Sequence, residues 1–239
     1  MKYMGSKSRI SKSIVPIIQN YIDSNKITTY IEPFCGGCNI IDKIGCETKI
    51  ASDSNEYLIE LFKYLQQDGK LPESISREEY FLVRSNMNNY PKWYVGVVGF
   101  LASYNGKFFG GYAGIVHTKA NTIRDYYNES KRNIETQSCN LKNIKFIYSN
   151  YDKCDPINCM IYCDIPYQGV TNYSNKIFNY DLFWDTMRKW NKNNIVLVSE
   201  LNAPNDFKCI WSQEILRTID NTKRVSSVEK LFIYNKEII

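Results

Sequence analysis

Short, almost continuously apolar segments alternate along this chain with segments of helical periodicity, and this alternation most constrains the fold. The strand-like segments, rich in β-branched and aromatic residues, are 28–34, 48–53, 144–150, 159–165, 194–200, 213–219 and 229–235. The segments with apolar residues at three- and four-residue intervals are 6–22, 55–67 and 179–193. The pattern predicts an α/β fold with a doubly wound, mostly parallel seven-stranded sheet, whose last two strands form an antiparallel hairpin at one edge.

Length and composition set broad limits on the class of protein. The chain has 239 residues, of which 44% are hydrophobic, enough for one large α/β domain or a domain with an insert. Its formal net charge of +5 suits a polyanionic partner, and a solvated lysine-rich surface would give the same balance. No apolar stretch reaches the roughly 20 residues of a membrane span, and the N-terminus lacks a signal-peptide pattern. We therefore expect a soluble, cytoplasmic protein.

Residues 70–143 interrupt the alternation and are too long for an ordinary loop. They form either an inserted subdomain or several helices at one edge of the sheet. Clustered Tyr and Phe lie there among basic residues, namely Lys107, Lys119, Arg124, Lys131 and Arg132. Cations that meet phosphates and rings that stack on bases suit nucleic acid, although a helical cap with a solvated face shows the same composition.

The cysteines and the single histidine give little support for a metal site. Cys35 and Cys38 have the spacing of a redox or zinc motif, but a zinc site needs about four ligands, and no second such motif accompanies them. The other cysteines are scattered along the chain. We interpret the eight cysteines as small buried thiols and expect no metal.

A glycine-containing turn follows the first predicted strand, in the segment YIEPFCGGCNI at 30–40. Glycines let the backbone approach a ligand closely, and a following helix would offer free N–H groups. Asp53 ends the next apolar strand, near the roughly 20-residue spacing expected of an acid that binds ribose hydroxyls. The two strand ends predict a nucleoside-type cofactor site. The full GxGxxG pattern is missing, which argues against a nicotinamide enzyme.

A second notable strand end is Asp164, in the segment MIYCDIPY at 160–167. The residues after it are common in turns, so the segment could simply end a strand. The alternative is that Asp164 and Tyr167 hold a ligand, because open α/β folds bind ligands at the carboxyl ends of their parallel strands.

Seven segments then occur in the order found in one family. They are YMGSKSRI, EPFCGG, SDSNEYLI, SYNGKFFGG, YCDIPY, IVLVSELNAP and SSVEKLFIY. They are spread over most of the chain, from residue 3 to residue 234, and the chain resembles the Dam-like (D12 class) adenine-N6 DNA methyltransferases. The resemblance implies a Rossmann-like catalytic domain of residues 1–69 and 144–239 that uses S-adenosyl-L-methionine. It also implies a mainly helical target-recognition insert at 70–143, with double-stranded DNA as the partner.

The resemblance implies a catalytic group of four consecutive residues. The carboxylate of Asp164 and the main-chain oxygen of Ile165 would accept the two N6 hydrogens of an adenine flipped out of the duplex. Pro166 would fix the turn, and Tyr167 would stack on the base. The family usually has proline where this chain has Ile165, a change that keeps the main-chain acceptor and adds an N–H group.

The resemblance also assigns residues to the two binding surfaces. The implied cofactor-binding residues are Tyr3, Lys7, Glu32, Pro33, Phe34, Cys35, Gly36, Gly37, Asp53, Asn150 and Asp164, with Asp152 an alternative to Asn150. The implied DNA-binding residues are Tyr104, Asn105, Lys107, Lys119 and Arg124. Ser226, Ser227 and Glu229 would help to shape the substrate side.

Several alternatives stay open at the level of sequence. Aspartate rather than serine at position 164 favours adenine over N4-cytosine, and the absence of a Pro-Cys dipeptide argues against C5-cytosine methylation. A catalytically silent nucleic-acid-binding module and an RNA adenine methylase remain as alternatives. The sequence does not distinguish a monomer from a transient dimer on DNA, and it does not reveal the recognised site.

Overall fold

The computed structural model describes residues 1–117, 121–166, 178–218 and 224–235. The strands are β1 (Thr29–Glu32), β2 (Thr48–Asp53), β3 (Ile115–His117), β4 (Ile123–Asp125), β5 (Ile144–Tyr148), β6 (Met160–Asp164), β7 (Ile195–Glu200), β8 (Phe207–Thr218) and β9 (Arg224–Tyr234). The α-helices are α1 (Ser11–Ser24), α2 (Glu56–Gln66), α3 (Arg77–Ser85), α4 (Lys92–Gly96), α5 (Tyr126–Leu141) and α6 (Tyr180–Trp190).

The main sheet has seven strands in the order β5-β2-β1-β6-β7-β9-β8, which confirms the predicted α/β architecture. The first five of these are mutually parallel, and β9 runs antiparallel between β7 and β8. The final hairpin therefore exists as predicted, with its second strand inside the sheet and β8 at the edge. Both strands are longer than the sequence indicated. β8 already begins at Phe207, where a β-bulge between Cys209 and Trp211 breaks the alternation of a regular strand, and β9 begins at Arg224 in the partly polar segment RVSSV.

The central strands are apolar throughout because helices cover both faces of the sheet. On β6, Met160 and Tyr162 join a large core that includes the buried side of α1. The alternate residues Ile161 and Cys163 face a second core, where Phe183 and other residues of α6 are fully buried. This alternation explains why an uninterrupted apolar run folds as a strand with two buried faces.

Polar residues fix the N-termini of four helices. Their side chains accept hydrogen bonds from main-chain N–H groups of the first turn, and the capping residues are Asn55, Ser76, Asp125 and Asn179. Such caps satisfy donors that a helix start otherwise leaves free. The α2 cap also matters for the site, because α2 begins directly after the end of β2.

Residues 70–143 contain α3, α4, a π-helical stretch at Val97–Leu101, the small hairpin of β3 and β4, and α5. Their buried side chains belong to the same core as α2. Trp93 stacks on Tyr64 of α2 with 3.8 Å between ring centroids, and Phe108 stacks on Tyr57 at 5.5 Å. The region is thus mainly helical, and its role as a recognition insert stays a prediction.

The eight cysteines differ in their exposure. Cys35, Cys38, Cys159 and Cys163 are buried, whereas Cys139 and Cys209 are exposed, so the prediction of buried thiols holds for only part of the set. Within the described residues, no cluster of three or more His, Cys, Asp or Glu could hold a metal ion. No helix in that same part of the chain is long and apolar enough to cross a membrane.

Candidate active site

The predicted acids meet at the topological switch point of the sheet. From β1 the chain moves outward through β2 to β5, and it then returns to the other side of β1 with β6 and β7. Glu32, Asp53 and Asp164 each end a parallel strand, β1, β2 and β6 respectively. Parallel strands present their carboxyl ends at one edge, and open α/β sheets bind ligands in the crevice at this switch point.

The turn after β1, residues 33–38, is clamped by Asp53. The main-chain N–H of Gly36 donates to Asp53 Oδ2 at 3.1 Å, and that of Asn55 donates to Oδ1 at 2.9 Å. Burial raises the pKa of the Asp53 carboxyl, and these N–H groups lower it in part. Each carboxylate oxygen can accept a further hydrogen bond, so Asp53 has acceptor capacity suited to the hydroxyls of a ribose.

The N-terminal segment, residues 1–10, folds over this turn. The amide of Asn39 donates to the main-chain oxygen of Met1 at 3.1 Å and to Ser6 Oγ at 2.8 Å. Gly36 has a φ of +45°, and a Cβ added there would lie 2.9 Å from Cε1 of Tyr3. Tyr3 therefore lies against the turn, and the close approach requires glycine at position 36.

The other residues of the turn differ in how far they reach the surface. Glu32, Pro33, Cys35 and Gly37 are buried, whereas Gly36 and Phe34 are partly exposed. Glu32 accepts a hydrogen bond from the Tyr30 hydroxyl at 2.8 Å, and burial raises the pKa of its carboxyl well above the ordinary value. Glu32 thus lies beneath the turn rather than at its surface.

An aromatic group borders the turn, and the resemblance had named Phe34 but not the rings packed around it. The ring of Phe34 packs on Tyr151 at 5.0 Å between centroids, and on Phe178 and Phe183 at 6.0 and 5.9 Å. Tyr151 begins a short 3-10 turn just after β5, directly behind the exposed Asn150. The sequence feature that could have predicted Tyr151 is the second tyrosine of YSNYDK, one residue after the predicted Asn150. These rings offer the flat apolar surface on which a purine packs.

Asp164 and the two residues after it form the turn at the end of β6. The Asp164 side chain is 23% exposed, so it reaches the surface at the sheet edge. The Ile165 side chain is 3% exposed and belongs to the core beside α6, which leaves only its main chain to face the edge. The Tyr180 hydroxyl donates to the main-chain oxygen of Pro166 at 2.9 Å and fixes this turn. Tyr167 lies outside the described residues.

A buried lysine contacts Asp164, a pairing that the sequence did not indicate. Lys7 Nζ lies 2.6 Å from Asp164 Oδ1 and 3.8 Å from Oε2 of Glu229, which β9 contributes. Burial raises the pKa of the Asp164 carboxyl, whereas the charge and hydrogen bond of Lys7 lower it. The structure thus places Glu229 at this site. Ser227 also belongs to β9, and its Oγ is buried without a hydrogen-bond partner in the described part of the chain.

A turn of the 70–143 region lies beside the N-terminal segment. Tyr104 is 57% exposed, and Asn105 is exposed in a left-handed conformation with φ of 55°. Gly106 packs so closely on this segment that an added Cβ would lie 2.3 Å from the main-chain oxygen of Lys2. Lys107 follows, partly exposed. Two of the predicted DNA-binding residues thus project near the edge that carries the glycine-containing turn.

The hairpin of β3 and β4 presents apolar and basic side chains to solvent. Ile115 and Ile123 are 67% and 69% exposed. Arg124 forms a bidentate pair with Glu129 at 2.8 and 2.9 Å, and its guanidinium lies 4.4 Å from the ring centroid of Tyr126. Lys119 falls in the stretch between the strands that the structure does not describe.

Comparison with known proteins identifies the family. The profile of the D12 class N6 adenine-specific DNA methyltransferases matches residues 3–198. The chain belongs to this family. It is 26% identical over 204 residues to the type II methyltransferase M.FokI of Planomicrobium okeanokoites, in an alignment that covers 73% of this chain and 30% of that protein. The chain thus spans less than a third of the length of this relative.

Two solved structures of low sequence identity also match. A candidate RNA methyltransferase from Pyrococcus horikoshii has 8% identity and a TM-score of 0.42, with 95% of this chain and 82% of that chain covered. A candidate methylase from Haemophilus influenzae has 9% identity and a TM-score of 0.35, with 95% and 89% covered.

The D12 match includes the N-terminal segment, the turn after β1, Asp53 and Asp164, and it ends within β7. Glu229 on β9 therefore lies beyond the matched residues. Its place beside Lys7 comes from the tertiary structure alone, because β9 inserts between β7 and β8.

Proposed function

We propose that this chain is a site-specific DNA methyltransferase that transfers a methyl group from S-adenosyl-L-methionine to N6 of an adenine flipped out of duplex DNA. Membership of the D12 family supports the reaction class. The observation that carries the proposal is the position of Asp164, partly exposed at the switch point beside the Asp53-clamped turn. A nucleoside-type cofactor and an extruded base would meet in that crevice.

The residues at the edge fit S-adenosyl-L-methionine. Asp53 has acceptor capacity for the ribose hydroxyls, and the Phe34 and Tyr151 rings offer a surface for the adenine. The partly exposed Gly36 brings main chain close to the ligand without a side chain in the way. The cofactor supplies an electrophilic methyl group on a sulfonium, and the residues of the chain bind and orient it.

Asp164 and the Ile165 main chain would activate the amine of the substrate. The exocyclic N6 is a poor nucleophile because its lone pair is delocalised into the purine ring. Two acceptors for its hydrogens would localise the lone pair and stabilise the positive charge that develops as the N–C bond forms and the C–S bond breaks. The methylated amine then loses one proton. Tyr180 positions this machinery through its bond to Pro166, and Tyr167 stays the predicted partner of the flipped base.

The proposal is tested by incubating the protein with labelled S-adenosyl-L-methionine and unmethylated duplex DNA, followed by digestion to nucleosides. We expect the label in N6-methyldeoxyadenosine. Label in a methylated cytosine would contradict the assigned base, and transfer to RNA in preference to DNA would favour the RNA methylase alternative. DNA binding without any transfer would support the silent module.

Removal of the Arg124 guanidinium should weaken DNA binding. In Arg124→Ala we expect a lower affinity for duplex DNA and a slope of log affinity against log salt that is smaller by about 1, because one phosphate contact is lost. Arg124 is paired with Glu129 in the free protein, so this contact would require exchange of the carboxylate for a phosphate. Fluorescence anisotropy at several salt concentrations measures both quantities.

Lys142→Ala is the matched control. Lys142 is also a surface cation paired with an acid, at 3.2 Å from Asp68, and it follows the other end of α5, about 24 Å along the helix from Arg124. Its removal should leave the salt slope unchanged. Equal salt slopes in the unmutated protein, Arg124→Ala and Lys142→Ala would mean that the DNA binds away from the β3–β4 hairpin.

A further inference from the structure

Lys7 is a buried lysine at the centre of the proposed site. Its side chain is 7% exposed, and that of Glu229 is 5% exposed. Burial of a charge is unfavourable unless the charge is paired, and even a paired buried ion contributes little to stability compared with apolar residues of similar size. An ammonium group held between Asp164 and Glu229 therefore suggests a role in the site rather than in the fold.

The distances define what Lys7 does to the Asp164 carboxylate. The 2.6 Å contact is to Oδ1, so this oxygen is engaged by a charge-assisted hydrogen bond. A carboxylate with one oxygen held cannot rotate freely, and the second oxygen keeps a defined direction. Glu229 lies on the same ammonium at 3.8 Å and restrains Lys7 from the β9 side.

This inference rests on the proposed function. We propose that Lys7, restrained by Glu229, is a positioning residue that holds Oδ1 of Asp164 and keeps the carboxylate ionised, so that Oδ2 is directed to the N6 amine of the target adenine. Lys7 touches neither the amine nor the methyl group in this arrangement and acts through Asp164. The role differs from the cofactor contact that the family resemblance implied for Lys7.

The groups around Asp164 explain why such a cation is needed. Among the residues that the structure describes, the titratable groups that face its carboxylate are Lys7, Glu32 of β1, Tyr162 and Cys163 of β6, and Glu229 of β9. Burial and the negative charge of Glu229 both raise the pKa of Asp164, and Lys7 opposes them. A protonated Asp164 would offer a hydroxyl donor where the amine needs an acceptor.

Lys7→Met should shift the pH dependence of the reaction. An opposite charge within hydrogen-bond distance favours the ionised form of a carboxyl group, so its loss should raise the pKa of Asp164. The carboxylate would then be protonated at a higher pH, and the acidic limb of the single-turnover rate should move to higher pH by about 1 to 3 units. Lys7→Arg keeps a cation at this position, so the acidic limb of its rate profile should lie close to the pH found for the unmutated protein.

The experiment combines two readouts on the full chain. Single-turnover methyl transfer is measured against pH, and the Asp164 carboxyl is titrated by infrared difference spectroscopy, with Asp164→Asn used to identify its band. Lys12→Met is the matched control, because Lys12 is an exposed lysine of α1. In Lys7→Met we expect the midpoint of the pH–rate profile and the midpoint of the infrared titration to rise together. In Lys12→Met both midpoints should stay unchanged.

The outcomes separate this inference from the proposed function. Unchanged midpoints in a Lys7→Met protein that still methylates DNA would overturn the positioning role. A shifted infrared midpoint in a protein whose unmutated form methylates no DNA would support the Lys7 pairing and overturn the proposed function. If Lys7→Met does not fold, the infrared titration of Asp164 in the unmutated protein tests the inference. A midpoint near or above pH 7 would mean that Lys7 does not keep the carboxylate ionised.

Discussion

Asp164→Asn should lower the single-turnover rate of DNA methylation by about 10³-fold, comparable to the loss of one electrostatic group that acts on the transition state. The amide keeps the size of the side chain and one acceptor oxygen, but it loses the negative charge that faces the developing cation on N6. Lys7 would compete for the remaining oxygen, since its ammonium lies 2.6 Å from Oδ1 in the native site. Quench-flow measurement with labelled cofactor gives the rate.

The matched control is Asp185→Asn, the same change at a side chain that is 74% exposed and paired with Arg188 on α6. It should leave the rate within a factor of about two, because an exposed ion pair contributes little. Cofactor affinity, measured by calorimetry, should fall much less than the rate in Asp164→Asn. A variant that methylates DNA at the native rate would show that the Asp164 carboxylate is not the acceptor of the amine.

Gly36→Ala should weaken binding of S-adenosyl-L-methionine by about tenfold or more and lower the free energy of unfolding by about 1 to 3 kcal/mol. Alanine is strained at the φ of +45°, and its Cβ would lie 2.9 Å from Tyr3 Cε1. The turn can relieve the contact only by moving Tyr3 or by releasing the bond from the Gly36 N–H to Asp53. Either movement disturbs the groups that should hold the cofactor. Calorimetry and urea unfolding measure the two effects.

Gly45→Ala provides the control for this prediction. It makes the same change at a glycine of ordinary φ, where the nearest atom to the added Cβ would be Gln19 Oε1 at 3.5 Å, an ordinary contact. We expect native cofactor affinity and a slight gain or no change in stability, because alanine restricts the unfolded chain. Native cofactor affinity in Gly36→Ala would argue that this turn does not contact the cofactor.

The positions of the chemical groups along the strands could be predicted from local sequence. Asp53 and Asp164 each follow an apolar run, and the period and length of those runs identify buried strands. Because the strands are parallel, their carboxyl ends, and therefore both acids, lie at one edge of the sheet. The lengths of β8 and β9 could not be predicted in this way, since a β-bulge between Cys209 and Trp211 interrupts the period of β8, and Arg224 and two serines begin β9.

Contacts between residues far apart in the sequence could not be predicted from local patterns. Phe34 meets Tyr151 and Phe183 only after β1, β5 and α6 have assembled around the sheet. The approach of Tyr3 to Gly36 depends on Asn39 tying down the N-terminal segment. Motif order indicated that these segments belong to one site, but it could not indicate which atoms touch.

The sequence by itself determined the doubly wound sheet, the edge at which the acids lie and the resemblance that led to the family. Hydrophobic periodicity and strand-end residues are local properties, and they suffice for these conclusions. Only the tertiary structure decided that Lys7 lies against Asp164 and that Glu229 restrains it. That arrangement depends on β9 inserting antiparallel beside β7, a long-range pairing that brings residue 229 within 4 Å of residue 7.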